Sequence, residues 1–306
     1  MTAAEIRAVL RRHGLRAGVR LGQHFLCAPP ILRRIVEASA VGPGDTVLEV
    51  GPGIGVLTAA LAATGADVWA VELDRALRPA LLDVLGAAAL AAGESRPLPE
   101  LPGCAADAPG PRLRLLWADA VRLPWAELAA ARPGPWQVCS NLPYYITGPF
   151  LASLFRGGLD WQRAVLLVQQ EAAARMLAAP GGKEYGAFTC LVRYHAEVER
   201  VLSVPPQAFL PPPQVRSAVV RLTRRPAPCA APPGPLFAVV RAAFAQRRKT
   251  LRNALSAGLE LPPAAVVAAL LSSGIAPERR GETLELGEFD RLTGALLQAG
   301  CLPSGA

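Results

Sequence analysis

Apolar positions along the chain fall into short runs that alternate with stretches of helical spacing. Thr46–Val50, Asp67–Asp74, Leu113–Trp117, Trp136–Cys139 and Arg163–Gln169 are each about one strand long, and the first four end at or within two residues of Gly, Asp or Asn. Between them, Ile31–Ala38, the segment running to about Ala63, residues 75–92, Glu171–Ala178 and Tyr185–His195 carry apolar residues on one helical face, with Gly181-Gly182 as a break. This alternation predicts an α/β fold: a mainly parallel sheet with helices on both faces. Glu197–Val204 and Val215–Leu222 predict a closing antiparallel pair. The proline-dense stretch between them, Pro205-Pro206 to Pro211-Pro212-Pro213, cannot lie inside a central strand. Residues 93–112, rich in Gly, Pro and Ala, predict a surface loop, and 226–235 a linker. Helices are predicted at 236–257, 263–273 and 288–299. Two domains follow, 1–225 and a small helical 226–306.

No apolar run approaches the roughly 20 residues of a membrane span, and the start of the chain lacks the layout of a secretory signal. A cytoplasmic protein without a membrane partner is expected. Six cysteines without CxxC spacing and three histidines (His13, His24, His195) suggest neither a disulfide framework nor a metal site. The net charge of +8 favours a polyanionic partner. Two basic clusters bear on this. Residues 5–19 form an amphipathic pattern carrying Arg7, Arg11, Arg12 and Arg16, either a solvated surface helix or an RNA-contacting arm. Arg241, Arg247, Arg248, Lys249 and Arg252 form either a solvated face or, with Gln246 and Asn253 among them, the better-fitting phosphate footprint.

Candidate chemistry gathers at the strand ends, where open α/β sheets bind ligands. Gly51-Pro52-Gly53-Ile54-Gly55 follows the first strand of the alternation and permits a tight turn and close ligand approach. Glu72, at the end of the next strand and about 20 residues on, suits ribose hydroxyls. The loop departs from the GxGxxG fingerprint and lacks the GK[ST] of a phosphate loop, which favours a nucleoside without phosphates over NAD or ATP. Asp119 ends the third strand, either to accept from an adenine amine or to cap a helix. Cys139-Ser140-Asn141-Leu142-Pro143-Tyr144-Tyr145 ends the fourth. An amide beside an aromatic ring suits a planar base with an exocyclic amine, although Asn and Pro also form ordinary turns.

Taken together and in order, these motifs resemble the ribosomal RNA adenine N6-dimethyltransferases of the kasugamycin-sensitivity type. The matching stretches are Leu21-Gly22-Gln23-His24-Phe25-Leu26, Glu49-Val50-Gly51-Pro52-Gly53, Val71-Glu72-Leu73-Asp74, Asp119-Ala120, Asn141-Leu142-Pro143-Tyr144, Ala208-Phe209-Leu210-Pro211-Pro212-Pro213 with Val215, Ser217–Leu222 and Gln246–Asn253, spanning roughly residues 18–295. His24 and Tyr145 stand where such proteins often have other residues. The resemblance implies a Rossmann-like class I methyltransferase sheet, S-adenosylmethionine as methyl donor without a metal, and a helical C-terminal domain that binds RNA. By position, it implies that Gly51, Glu72 and Asp119 meet the donor, that His24 and Leu26 close its pocket, and that Asn141 borders both donor and target. Catalysis would fall to Asn141, Leu142, Pro143 and Tyr144, and RNA binding to Arg247, Arg248, Lys249 and Arg252. The implied reaction is dimethylation of N6 on two adjacent adenosines near the 3′ end of small-subunit rRNA. The implied partner is that rRNA or a small-subunit assembly intermediate, met by a monomer. Two other readings keep the fold: a large-subunit rRNA dimethyltransferase of the macrolide-resistance type, and a noncatalytic RNA-binding assembly or transcription factor; a DNA adenine methyltransferase is a third alternative.

Overall fold

The computed structural model describes residues 1–16, 23–86 and 113–303. The predicted loop at 93–112, the ends of the segments 5–19 and 75–92, and the pair Leu21-Gly22 therefore fall wholly or partly outside the described residues. Among the described residues no helix is long and apolar enough to cross a membrane.

The chain divides into two compact units, Met1–Ala173 with Glu199–Arg224, and Ala174–Val198 with Arg225–Ala306. In the first, β1 is Phe25–Leu26, β2 Thr46–Val50, β3 Asp67–Glu72, β4 Leu113–Trp117, β5 Trp136–Asn141 and β6 Trp161–Gln169; β7 is Ala196–Val204, β8 Phe209–Leu210 and β9 Ser217–Arg224. Seven of these form one sheet in the order β4-β3-β2-β5-β6-β9-β7. Strands β2 to β6 pair in parallel with their neighbours, and β9 runs antiparallel to β6. The seven predicted strands are all present. The fourth runs two residues further than expected, so that Asn141 is its last residue and not part of a turn.

Burial explains why these strands read as continuous apolar runs. Val47, Val68, Ala70, Leu115, Val165 and Leu167 share one cluster with Ile35, Leu57, Leu61 and Leu81 of the helices. Their alternate neighbours Leu48, Trp69, Val71, Leu116 and Leu166 are equally buried, so both faces of the sheet are covered. Helices α1 (Ala3–Arg12), α2 (Pro29–Ser39), α3 (Val56–Ala62) and α4 (Arg78–Leu85) are joined by α5 (Trp125–Ala131) and α6 (Thr147–Arg156), two short elements not among the predicted helices, although α6 buries Thr147, Phe150, Leu151 and Leu154 at helical spacing. Helix α1 begins with a capping box, Thr2 against Glu5. It buries Ile6, Val9 and Leu10 beside Phe25 and Ile54, which makes it part of the core next to the glycine turn.

The second unit is helical: the second half of α7 (Gln170–Leu177), α8 (Ala187–His195), α9 (Pro233–Ala245), α10 (Leu251–Leu259), α11 (Pro263–Ser272) and α12 (Leu286–Gln298). Two expectations change here. A cut at residue 225 places 174–198 with the sheet, whereas Tyr185, Cys190 and Tyr194 pack in one cluster with Leu236, Val240, Leu255 and Phe289. The helix predicted over 236–257 is two helices broken at 246–250, where Gln246 and Thr250 leave helical geometry.

Candidate active site

A single pocket collects the C-terminal ends of β2, β3 and β5 and the residues that follow β4. It is lined by residues from all five stretches in which the sequence places cofactor-binding and catalytic residues: His24 and Leu26, Gly51, Glu72, Asp119, and Asn141 through Tyr144. All belong to the first unit.

The side of the pocket carrying Gly51 and Glu72 is a backbone turn. Gly51 and Gly53 have φ of +68° and +60°, the left-handed region in which a side chain is strained. At Gly53 a Cβ would also meet the Phe25 ring at 3.0 Å. Glu72 braces this turn: one carboxylate oxygen accepts from Gly53 N at 3.1 Å and the other from Asp74 N at 2.8 Å. Burial pushes its carboxyl pKa upward, while those amide bonds pull it back. Asp119 does cap the turn that follows it, accepting from Val121 N at 2.9 Å through Oδ1. Its Oδ2 lies 3.8 Å from Arg122 Nε.

Beneath the turn is Glu49, which the sequence reading quoted but gave no role. Its side chain is fully buried on β2, Oε2 has no hydrogen-bond partner among the described residues, and burial raises its pKa to about 8 against the lowering effect of the nearby Thr58 hydroxyl. It lines the same pocket.

The side carrying Asn141 and Tyr144 is held from a distance. Asn141 Nδ2 donates to the His24 carbonyl at 3.0 Å. Because a carbonyl only accepts, this contact decides which end of the amide is NH2 and leaves Oδ1 at the other end. His24 Nδ1 donates to the Pro211 carbonyl at 2.8 Å, and its ring stacks on Tyr144 with centroids 5.8 Å apart. The Tyr144 hydroxyl and Ser217 Oγ share a hydrogen bond of 2.6 Å. Burial raises the Tyr144 phenol pKa, so the group stays protonated at neutral pH. Around them, β1 pairs antiparallel with β8, and Cys27 N donates to the Ala208 carbonyl at 2.8 Å, zipping the N-terminal arm to the proline-dense segment. Gln23 closes the far rim through a 2.8 Å bond to Asp74 Oδ2. Gln23, Ser217 and Glu49 have no chemical signature of their own; their only sequence signal is membership in the matched motifs. Two exposed apolar side chains, Leu73 and Tyr145, also line the pocket.

In the second unit, Arg247, Arg248 and Lys249 occupy the turn between α9 and α10, and Arg252 begins the next helix; all four are exposed. Arg247 is committed internally, to the Lys183 carbonyl, to the Tyr185 carbonyl at 3.2 Å, and to Glu282 at 3.6 Å. Among the described residues there is no cluster of metal-ligating side chains.

Comparison with known proteins places this geometry. The chain matches the family described as Ribosomal RNA adenine dimethylase over residues 14–87 and 109–294. The intervening stretch, outside that match, overlaps the predicted loop. A Ribosomal RNA small subunit methyltransferase A from Pelotomaculum thermopropionicum is 42% identical, covering 97% of each chain. Among solved structures, a dimethyladenosine transferase from Plasmodium falciparum is similar with a TM-score of 0.71 at 24% identity, covering 90% of this chain and 98% of its own. The 23S rRNA methyltransferase ErmE is similar with a TM-score of 0.61, also at 24%, covering 90% of this chain and all of its own. The structural likenesses establish the fold, and the sequence matches over almost the full length establish descent: the chain belongs to the ribosomal RNA adenine dimethylase family.

Proposed function

We propose that the protein transfers methyl groups from S-adenosylmethionine to N6 of two adjacent adenosines near the 3′ end of small-subunit rRNA, giving N6,N6-dimethyladenosine. The observation that carries this reading is the Asn141 amide, oriented by the His24 carbonyl beside the Tyr144 ring in the pocket that Gly51, Glu72 and Asp119 also line. The residues present fit the donor. Its cationic, amine-bearing end suits a pocket with an unpartnered buried carboxyl oxygen on Glu49, and Glu72 and Asp119 keep lone pairs free for ribose and adenine. When bound, it supplies an electrophilic methyl group.

Adenine N6 is a poor nucleophile because its lone pair is delocalised into the ring. Asn141 Oδ1 and the Leu142 carbonyl accept its two N–H groups and hold it in line with the methyl, while Tyr144 stacks on the base; such orientation supplies much of the rate. The base must leave its stack to enter, which favours a loop of RNA. After the first transfer one N–H remains, so one acceptor is released and the second transfer is no faster than the first. The exposed residues of the 247–252 turn grip phosphates, with Arg248 and Lys249 free of the internal bonds that occupy Arg247. A cytoplasmic monomer acting on rRNA or an assembly intermediate completes the picture.

The 42% identity to a small-subunit enzyme, over 97% of both chains, supports the small-subunit substrate over the large-subunit alternative. Mass spectrometry of both rRNAs from cells with and without the protein tests this. Dimethyladenosine lost from the small subunit alone is expected, and loss from the large subunit would overturn the choice. Calorimetric titration showing no S-adenosylmethionine binding would instead favour the noncatalytic reading.

A further inference from the structure

The two sides of the pocket stand on neighbouring strands that stop pairing before they reach it. Strands β2 and β5 are in parallel register from Thr46 opposite Trp136 to Leu48 opposite Val138, and the register ends there. Beyond it, each strand tip turns to its outer neighbour: Gly51 N donates to the Val71 carbonyl at 2.9 Å, and Leu142 N to the Leu167 carbonyl at 3.1 Å. The tips stay close, a Cβ at Gly51 lying 4.0 Å from the Asn141 carbonyl oxygen, but the end of the ladder leaves inward-facing backbone N–H groups, and a buried one without a partner costs about 1–3 kcal/mol.

At Val50 that amide is met by a side chain. Val50 N donates to Ser140 Oγ at 2.8 Å, and both residues are buried. Ser140 lies behind the pocket wall, but Glu49, Val50, Gly51 and Asn141 around it all line the pocket. Its hydroxyl reaches across where the ladder no longer does. The bond therefore ties the base of the glycine turn to the residue immediately before Asn141.

We propose that Ser140 is a positioning residue: by accepting the Val50 amide it sets the separation of the glycine turn from Asn141, and so the alignment of methyl group and N6. This rests on the methyl-transfer reading above. A hydroxyl suits the position because it is short, accepts a hydrogen bond, and needs no charge buried with it. Alanine would keep the fold but release the tie, whereas threonine would retain it.

The test compares wild type, Ser140→Ala and Ser140→Thr. Three quantities are measured: exchange of the Val50 amide by NMR, S-adenosylmethionine affinity by calorimetry, and single-turnover transfer to a small-subunit rRNA fragment at saturating donor. In Ser140→Ala, Val50 exchange and loss of transfer rate should each change roughly tenfold, as expected for one hydrogen bond of about 1.4 kcal/mol. Donor affinity should stay within about twofold. Monomethyladenosine should persist because the second transfer tolerates misalignment least, and Ser140→Thr should restore both rate and product. Wild-type transfer rates in Ser140→Ala, despite faster exchange, would overturn the proposal. So would a rate loss matched by an equal loss of donor affinity, or a folded threonine variant that remains slow. A wild-type protein that binds the donor yet methylates no rRNA would count against the methyl-transfer reading itself and is seen separately from the variant.

Discussion

On the donor side of the pocket, polar groups are tied to backbone close by. Glu72 accepts from Asp74 N two residues on and from Gly53 N nineteen residues back, and Asp119 from Val121 N two residues on. On the acceptor side the side-chain ties are long: Asn141 to His24 across 117 residues, His24 to Pro211 across 187, and Tyr144 to Ser217 across 73. The first is a local consequence of turns and strand ends. The second exists only once the N-terminal arm and the proline-dense segment have closed over β5. One side is thus prepared by local folding to receive a ligand, while the other must be assembled around the amide it presents.

The comparison is broken most severely at Asn141. Asn141→Ala should lower transfer by roughly 10²-fold or more while donor affinity barely moves, because orientation of the amine is lost and the donor side is untouched. Single-turnover kinetics and calorimetry check this. A variant that retained most of its turnover would remove the acceptor side from the mechanism.

Glu49 is the exception on the donor side, a buried carboxyl without a full set of partners. Its pKa is raised from 4.5 to about 8, chiefly by burial and further by the nearby Glu72. Between those values the folded state holds more protons than the unfolded state, so stability falls as pH rises, by about 1.4 kcal/mol per pH unit for this group. Glu49→Gln, which imitates the protonated form, should therefore melt higher than wild type at pH 8, with the difference vanishing towards pH 4.5. Equal melting shifts at both pH values would show that Glu49 does not titrate in this window.

Glu72→Ala should weaken donor binding by roughly 1–3 kcal/mol, since it removes both ligand acceptors and the brace on Gly53. Transfer at saturating donor should change far less, which titration and kinetics together resolve. A control lies outside both sides of the pocket. The double change Arg248→Ala and Lys249→Ala should weaken RNA binding and reduce its salt slope by roughly 1 to 2, leaving donor affinity intact. Filter binding across a salt series reads this directly. The smallest effect belongs to Ser217→Ala, which frees the Tyr144 hydroxyl and should cost about 0.5–1.5 kcal/mol in transfer efficiency. A loss of donor affinity there would contradict the separation of the two sides.

Periodicity and turn chemistry by themselves determined the seven strands, the glycine turn, the acid at the end of β3 and the helical character of the second unit. Each is marked within a few residues: an apolar run bounded by breakers carries the strand signal in its own residues, and Gly51 must be glycine for its own backbone angle. Asn141 was legible as a candidate but not as a strand residue, because its place on β5 depends on pairing with Leu167 of β6. Tertiary structure alone decided the rest. It grouped residues 174–198 with the C-terminal helices through packing of Tyr185, Cys190 and Tyr194, and it drew Arg247 into bonds with the Lys183 and Tyr185 carbonyls beside the break at 246–250. It also oriented the Asn141 amide and left Glu49 Oε2 without a partner. Side-chain orientation and burial depend on groups 70 to 190 residues away in sequence, and no local pattern encodes which of them will arrive.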